Sequence, residues 1–228
     1  MIYIPSEDDF SILNEIGRWK VIPQKDLYGE MMRKVQYSPF CRKIKRLEKH
    51  GLLKSFRGGR GRKFLTLTDS GGKLSHFGNI YCENENELGH DLLCSVILKK
   101  LLNYKNFDSG EVYHGDGDLI PDGFIHARKN DEPYTLALEI ELHQKSAPRV
   151  KSKFKKYACS QMFTHVLYVM PKESIFHSYR KILLEMNREV QQTVVLLFNK
   201  DLTIETFNFL DSLCFLKGEE QSFEEIFE

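Results

Sequence analysis

Residues 38–71 read SPFCRKIKRLEKHGLLKSFRGGRGRKFLTLTDSG, and the order of signals within them decides the fold of the first part of the chain. Ser38-Pro39 is a helix start, with serine at the N-cap and proline at the first helical position, where its missing N–H costs nothing. Phe40, Ile44 and Leu47 then recur at helical spacing and define an inward face, Cys41 joins them, and Gly51 stops the helix. Leu52–Phe56 has strand character, Arg57–Gly61 is a turn by its glycines, and Arg62–Leu67 is a returning strand. Thr68–Gly71 closes the segment as a turn or short helix start.

Upstream, Ser6 and Asp9 have the spacing of a capping box. Phe10, Leu13 and Ile16 give one apolar stripe ended by Gly17. Val21-Ile22-Pro23 opens a second helix, with Pro23 near its first position and Leu27 as a core contact; Trp19, the single tryptophan, belongs to the same core. Three helices followed by a hairpin is the order of a winged helix-turn-helix, here over residues 1–80. The stretches FCRKIKRLEKHGLLK (Phe40–Lys54) and KFLTLTDSG (Lys63–Gly71) resemble the recognition helix and wing of that family.

The charge of this segment points to its partner. The whole chain carries a formal +1, but Arg42–Lys63 holds ten Lys/Arg against one acid, Glu48, so a local +9 is offset by −8 over the rest. Arg42, Lys43, Lys45, Arg46 and Lys49 lie off the apolar face of their helix, as a helix seated in the major groove of double-stranded DNA requires. Arg57, Arg60, Arg62 and Lys63 surround the glycine-rich tip, a wing for an adjacent backbone or minor groove. A solvated basic face is the competing explanation. The coincidence of helix order, capped basic helix and basic tip favours DNA.

A polar, acidic stretch from Cys82 to Glu87 separates this module from residues 81–228. There the pattern predicts a long helix over Glu87–Leu102, strands at Val112–His114 and Ile120–Ile125, and a clear strand over Tyr134–Leu142. A basic helix over Pro148–Cys159 follows, then strand Thr164–Met170, helix Ser174–Met186, and strands Thr193–Phe198 and Leu202–Phe207. The acidic end, Glu219–Glu228, reads as a short helix or frayed end. Strands alternating with helices place this part in the α/β class, so that the whole is α+β.

Within Thr135–Leu142, side chains alternate, putting Leu136, Leu138, Ile140 and Leu142 on one face and Ala137, Glu139 and Glu141 on the other. The two carboxylates stand about 7 Å apart on one face. If the strand after Pro121-Asp122-Gly123 pairs with this one as a hairpin, Asp122 approaches Glu139. Three such carboxylates repel unless a hard cation, Mg²⁺ or Mn²⁺, lies between them. Taken singly, E-x-E also arises from a strand with one wet face, and Pro-Asp-Gly is a common turn.

The arrangement resembles the PD-(D/E)xK nuclease superfamily, and joined to the winged helix it resembles plasmid replication-relaxation proteins. The resemblance covers about residues 87–170 for the nuclease-like part and 10–74 for the other. It implies that Asp122 is the motif aspartate and Glu139 the acid after it, with Glu87, or His90 and Asp91, on the helix where many members carry a further acid. Glu141 falls where most members have lysine, which steadies the attacking water and the transition-state charge. Lys145 stands just past the strand, and Lys151, Lys153, Lys155 and Lys156 lie on the next helix. Val150, Phe154 and Tyr157 make that helix amphipathic and leave these lysines as its wet face. His143 reads as a surface residue.

Five cysteines (Cys41, Cys82, Cys94, Cys159 and Cys214), odd in number and never spaced C-x-x-C, read as free thiols of a reducing compartment, with the cytoplasm as the expected location. No apolar run approaches the ~18 residues of a membrane span, and the first residues lack a signal-peptide pattern. Two functions stay open. One is a magnesium-dependent endonuclease acting on plasmid or mobile-element DNA, with Asp122, Glu139 and Glu141 at the metal and Lys145 beside them. The other is a transcription or replication regulator whose nuclease-like domain lacks catalysis and serves dimerisation or partner docking.

Overall fold

The computed structural model describes residues 3–31, 36–78, 85–115, 117–203 and 207–227, and all of their side chains except those of 60 and 85–87. The chain divides into two compact units, Met1–Ser95 and Val96–Glu228. Its class is mixed α+β, with a small antiparallel sheet in the first unit and a mixed sheet in the second.

In the first unit, helix α1 (Glu7–Trp19) starts at the expected reciprocal cap: Ser6 Oγ accepts from the Asp9 N–H, and the Asp9 carboxylate accepts from the Ser6 N–H at 2.9 Å. The helix does not end at Gly17. That glycine is a point of close approach, where a Cβ would lie 2.5 Å from Ser75 Oγ and 3.2 Å from Phe77 Cβ. The buried stripe is Ile12, Leu13, Ile16 and Trp19, whereas Phe10, expected inside, lies off that face and is exposed.

Val21–Pro23 does not open a helix. Ile22 and Pro23 form strand β1, pairing with Leu65 and Phe64, and proline is tolerated because β1 is the edge of the sheet. Helix α2 (Gln24–Met31) follows, with Leu27 buried as expected. Helix α3 (Tyr37–Lys49) begins earlier than Ser38: Gln36 is its N-cap, with no side-chain bond. Pro39 still lies in the first turn, where backbone N–H groups have no intrahelical acceptor. The other end is a Schellman turn, with Gly51 at φ +68°, its N–H on Glu48 O and the Leu52 N–H on Leu47 O.

Strands β2 (Leu53–Arg57) and β3 (Lys63–Leu67) form the expected hairpin through a 3₁₀ turn at Gly59–Gly61, giving the sheet order β1-β3-β2. Short helix α4 (Asp69–Gly72) is capped by Thr68, whose Oγ1 accepts from the Gly71 N–H at 3.1 Å. Helix α5 (Glu85–Leu101) crosses the division between the units; on the first-unit side, Ser95 Oγ lies 2.7 and 3.0 Å from the Trp19 and Val21 carbonyls.

The second unit is built on a seven-stranded sheet in the order β10-β9-β8-β7-β6-β5-β4. Strand β4 (Phe107–Val112) precedes the expected Val112–His114, and β5 (Gly123–Lys129) begins later and runs further than expected. Asn130 and Asp131, at φ +52° and +66°, form a two-residue hairpin turn into β6 (Glu132–Ile140), pinning the register Gly123↔Leu138. Helix α6 (Ala147–Ala158), β7 (His165–Met170), helices α7 (Glu173–Leu184) and α8 (Arg188–Thr193), and β8 (Val194–Phe198) complete a parallel core, β6-β7-β8.

Sequence pattern did not signal α8, nor β9 (Leu213–Leu216) and β10 (Glu219–Gln221), which are too short to show a period. Of the strand expected over Leu202–Phe207, residues 204–206 lie outside the described residues, and Leu202, Thr203 and Phe207 are not in a strand. Near the end, α9 (Phe223–Phe227) is a true helix with its own cap, Ser222 N–H donating to Glu225 at 2.6 Å. A core of Val150, Phe154, Tyr157, Tyr168, Phe176 and Tyr179 packs α6 and α7 on the sheet face that carries Ala137 and Glu139. Both faces of β6 are therefore covered over Leu136–Ile140, and the wet face that would have been the alternative origin of its E-x-E pattern does not exist.

Candidate functional site

The basic run of the first unit is sorted by its ion pairs. At the start of α1, Asp8 takes Lys43 at 2.6 Å, while Asp9 takes Arg46 at 3.3 Å and lies 3.8 Å from Lys43. Glu48 takes Lys63 at 2.8 Å. Lys43, Arg46 and Lys63, all read in the sequence as DNA-binding residues, thus bear on carboxylates within the unit. Arg42, Lys45, Lys49 and Arg57 are exposed and have no carboxylate partner among the described residues; Arg42 donates to Ser38 Oγ at 3.2 Å. At 100° per residue, Arg42, Lys45 and Lys49 fall on one stripe, opposite the buried Phe40, Ile44 and Leu47. Arg60's side chain lies outside the described residues.

Asp9 holds that arrangement together. Its carboxylate also accepts from the Tyr3 hydroxyl at 2.7 Å, and Tyr3 stacks on His50 with ring centroids 4.2 Å apart. Burial works against its charge, but the Tyr3 and Ser6 donors and the nearby Lys43 outweigh this and hold the carboxyl below its ordinary value.

The second unit brings Asp122 to Glu139 as the hairpin predicts. The Asp122 N–H donates to the Leu138 carbonyl at 2.9 Å, and its Oδ2 accepts the Ile140 N–H at 2.6 Å, so Asp122 straddles Glu139 on the neighbouring strand. Glu139 is 3% exposed and Glu141 7%. Lys153 reaches in from α6, its Nζ 2.6 Å from Glu139 Oε2, while the Tyr157 hydroxyl donates to Oε1. Burial pushes the Glu139 carboxyl up to about 7, with Asp122 adding to the shift against the pull of Lys153 and Tyr157. Burial raises Glu141 as well, against Lys145 and Lys153. The Tyr179 hydroxyl faces Glu141 without closing a hydrogen bond of good geometry.

The lysines are now distinguishable. Lys145 lies 4.0 Å from Glu141 and is the more distant contact. Lys151 pairs with Glu185, Lys156 donates to the Asp118 carbonyl at 3.1 Å, and Lys155 is exposed, so these three do form the outer face of α6. Lys153 does not. It stands three residues after Val150 and four before Tyr157, beside the buried stripe, a spacing that could have separated it from the other three lysines in the sequence. Asp91 is paired with Lys20 at 3.0 Å within the first unit, His143 is exposed, and the Glu87 side chain lies outside the described residues.

The donor chemistry of this site fits a hard divalent cation. Asp122, Glu139 and Glu141 offer carboxylate oxygens, and the charge of Asp122 adds to burial in raising the Glu139 and Glu141 carboxyls. In this conformation no three acid, histidine or cysteine groups converge on one point among the described residues, and the Lys153 ammonium is the cation that Glu139 holds.

Comparison with known proteins yields no matching family model and no matching curated protein. Two solved structures show weak similarity. The restriction endonuclease FokI aligns at 12% identity and TM-score 0.26, over 76% of this chain and 39% of that one. FokI bound to DNA aligns at 12% identity and TM-score 0.28, over 89% and 45%. The chain spans less than half the length of either. A likeness of this size carries no information on activity. No described helix is long and apolar enough to cross a membrane.

Proposed function

We propose that this chain is a duplex-DNA-binding protein that engages DNA through a winged helix-turn-helix in its first unit and hydrolyses phosphodiesters with its second. The observation that carries DNA binding is the stripe of Arg42, Lys45 and Lys49 on α3, exposed and without carboxylate partners among the described residues, next to a hairpin bearing Arg57. Such a stripe offers cations to phosphates and long side chains to base edges. Plasmid or mobile-element DNA is the narrower form of the proposal and rests on the sequence resemblance alone.

For the chemistry, Asp122 and Glu139 would hold Mg²⁺ or Mn²⁺, with Glu141 as a further ligand. The bound cation would polarise the phosphate and lower the pKa of a water. The protein's own groups supply the rest. The Asp122 backbone and Oδ2 bonds fix that carboxylate at the start of β5, beside Glu139. Tyr157 orients Glu139. Lys153, rather than the expected Lys145, is the ammonium placed to offset charge on a phosphate approaching Glu139, and Glu141, its proton affinity raised by burial, is suited to accept a proton from water.

One observation favours a second reading: Glu139 is already neutralised by Lys153 and Tyr157. On that reading the second unit is a catalytically silent nuclease-like domain serving dimerisation or partner docking in a regulator. Incubation of supercoiled DNA with the protein and Mg²⁺ or Mn²⁺ decides between them. Nicking that disappears in Glu139→Ala supports hydrolysis at this site; nicking unchanged in Glu139→Ala refutes it. Metal-independent binding without cleavage selects the regulator.

A further inference from the structure

A second feature of the Val96–Glu228 unit is the distribution of its charge. The unit carries a formal −3, from 17 Lys/Arg and 20 Asp/Glu, yet Leu142–Lys172 holds seven of those cations and no acid. A local +7 is thus offset by −10 over the rest of the unit. Three of the seven are engaged by carboxylates: Lys151 by Glu185, Lys153 by Glu139 and, at 4.0 Å, Lys145 by Glu141. Arg149, Lys155, Lys156 and Lys172 are exposed and have no carboxylate partner among the described residues.

Arg149, Lys153 and Lys156 are spaced i, i+4 and i+7 on α6, so they form one row along the helix, about 10.5 Å from first to last. Two bonds fix where the row runs. Lys153 Nζ lies 2.6 Å from Glu139 Oε2, and Lys156 donates to the Asp118 carbonyl at 3.1 Å, in the loop that leads to Asp122. The row therefore borders the carboxylates. Lys155 sits about 100° round the helix from Lys156 and lies outside it. At the Lys156 end two large apolar side chains are exposed, Ile120 at 54% and Met162 at 62%. Ile120 is two residues from Asp118, and Met162 follows the end of α6, its N–H donating to Ser160 Oγ at 3.1 Å.

One row of cations matches one phosphate backbone, and its length is about three stacked nucleotide steps of about 3.4 Å. The apolar pair decides between duplex and single strand. A duplex keeps its bases stacked inside and would bring only more backbone to Ile120 and Met162. A single strand turns its bases out, onto apolar side chains beside a cationic track. We propose that the second unit binds single-stranded DNA, with backbone phosphates on Arg149 and Lys156 and bases on Ile120 and Met162. A strand held so passes Lys153, which presents the phosphate between them to Glu139. For hydrolysis at Glu139 this rests on the function proposed above; for strand binding it does not.

Fluorescence anisotropy of a labelled oligothymidylate of about 12 nucleotides in metal-free buffer, where it is not cut, tests this. The protein is the full chain carrying Arg42→Glu, Lys45→Glu and Lys49→Glu, so that its first unit repels phosphates. Saturable binding is expected. Two phosphate contacts give a slope of log K against log salt of about −1.4, a ~7-fold fall between 50 and 200 mM salt. Adding Arg149→Ala with Lys156→Ala should bring the slope close to zero. Adding Met162→Ser instead should weaken binding about 3-fold at every salt concentration and keep the slope. No saturable binding, a slope unmoved by Arg149→Ala with Lys156→Ala, or equal affinity for polyglutamate of the same charge would each overturn the proposal. Duplex binding by the parent chain and nicking lost in Glu139→Ala are read in other assays, so failure here leaves the function proposed above standing.

Discussion

Two lysines two residues apart on the same helix should behave quite differently towards DNA. Lys45 is exposed and has no carboxylate partner among the described residues, whereas Lys43 is 2.6 Å from Asp8 and 3.8 Å from Asp9. A cation that neutralises a phosphate releases a condensed counterion, and the slope of log K against log salt is about −0.9 per phosphate contact. If Arg42, Lys45, Lys49 and Arg57 each meet one phosphate, the slope is about −3.6, and affinity falls ~150-fold between 50 and 200 mM salt. In Lys45→Ala the slope becomes about −2.7 and the fall ~40-fold. Lys43→Ala should leave the slope within a few tenths of the parent, because its charge is already offset. The assay is fluorescence anisotropy of a labelled duplex at four or more salt concentrations. Equal slope changes for Lys43→Ala and Lys45→Ala would refute the sorting of the basic run by its ion pairs, as would a parent slope near −6, which requires those pairs to open on DNA.

Three further outcomes follow from the packing and the ion pairs. Phe154→Ala, at a fully buried ring 5.1 Å from that of Tyr168, should cost about 3–5 kcal/mol in denaturant unfolding; a loss below 1 kcal/mol would contradict the described core. The Asp9 carboxyl is held below its unfolded value, so its contribution to stability is present above an unfolded pKa of about 4 and is lost as pH falls through the lower folded pKa. Asp9→Asn should therefore flatten the acid limb of the stability profile, and a limb of unchanged steepness would count against the network. Lys153→Met removes the cation that holds Glu139 down, so the Glu139 carboxyl, followed by carbon NMR in metal-free buffer, should titrate above its parent value of about 7; an unmoved midpoint would show that the two do not pair.

Local signals were legible where a few neighbouring residues specify them. The Ser6/Asp9 cap, the Gly51 turn and the Gly59–Gly61 hairpin tip all appear in the structure. The approach of Asp122 to Glu139 was legible as well, although the stronger signal, the Asn130-Asp131 turn that fixes the hairpin, was passed over. Properties set by distant partners were not legible. Lys43 and Arg46 meet carboxylates 34 to 37 residues away, which a count of local charge does not show. The glutamates of β6 alternate like those of a half-wet strand, yet α6 and α7 cover them, and only the tertiary packing reveals it. Phe10 and Val21–Pro23 misled because an apolar residue at helical spacing and a proline at a boundary each fit more than one structure.

The most direct measurement is a gel-shift titration of a 30-base-pair duplex in low-salt buffer, comparing the parent chain with the combined Arg42→Glu, Lys45→Glu, Lys49→Glu variant. The circular dichroism of the two should first be shown to agree. Retarded duplex with the parent and free duplex with the variant is the expected result. Free duplex with both, or equal retardation by both, would contradict the assignment of the α3 stripe as the surface that holds DNA.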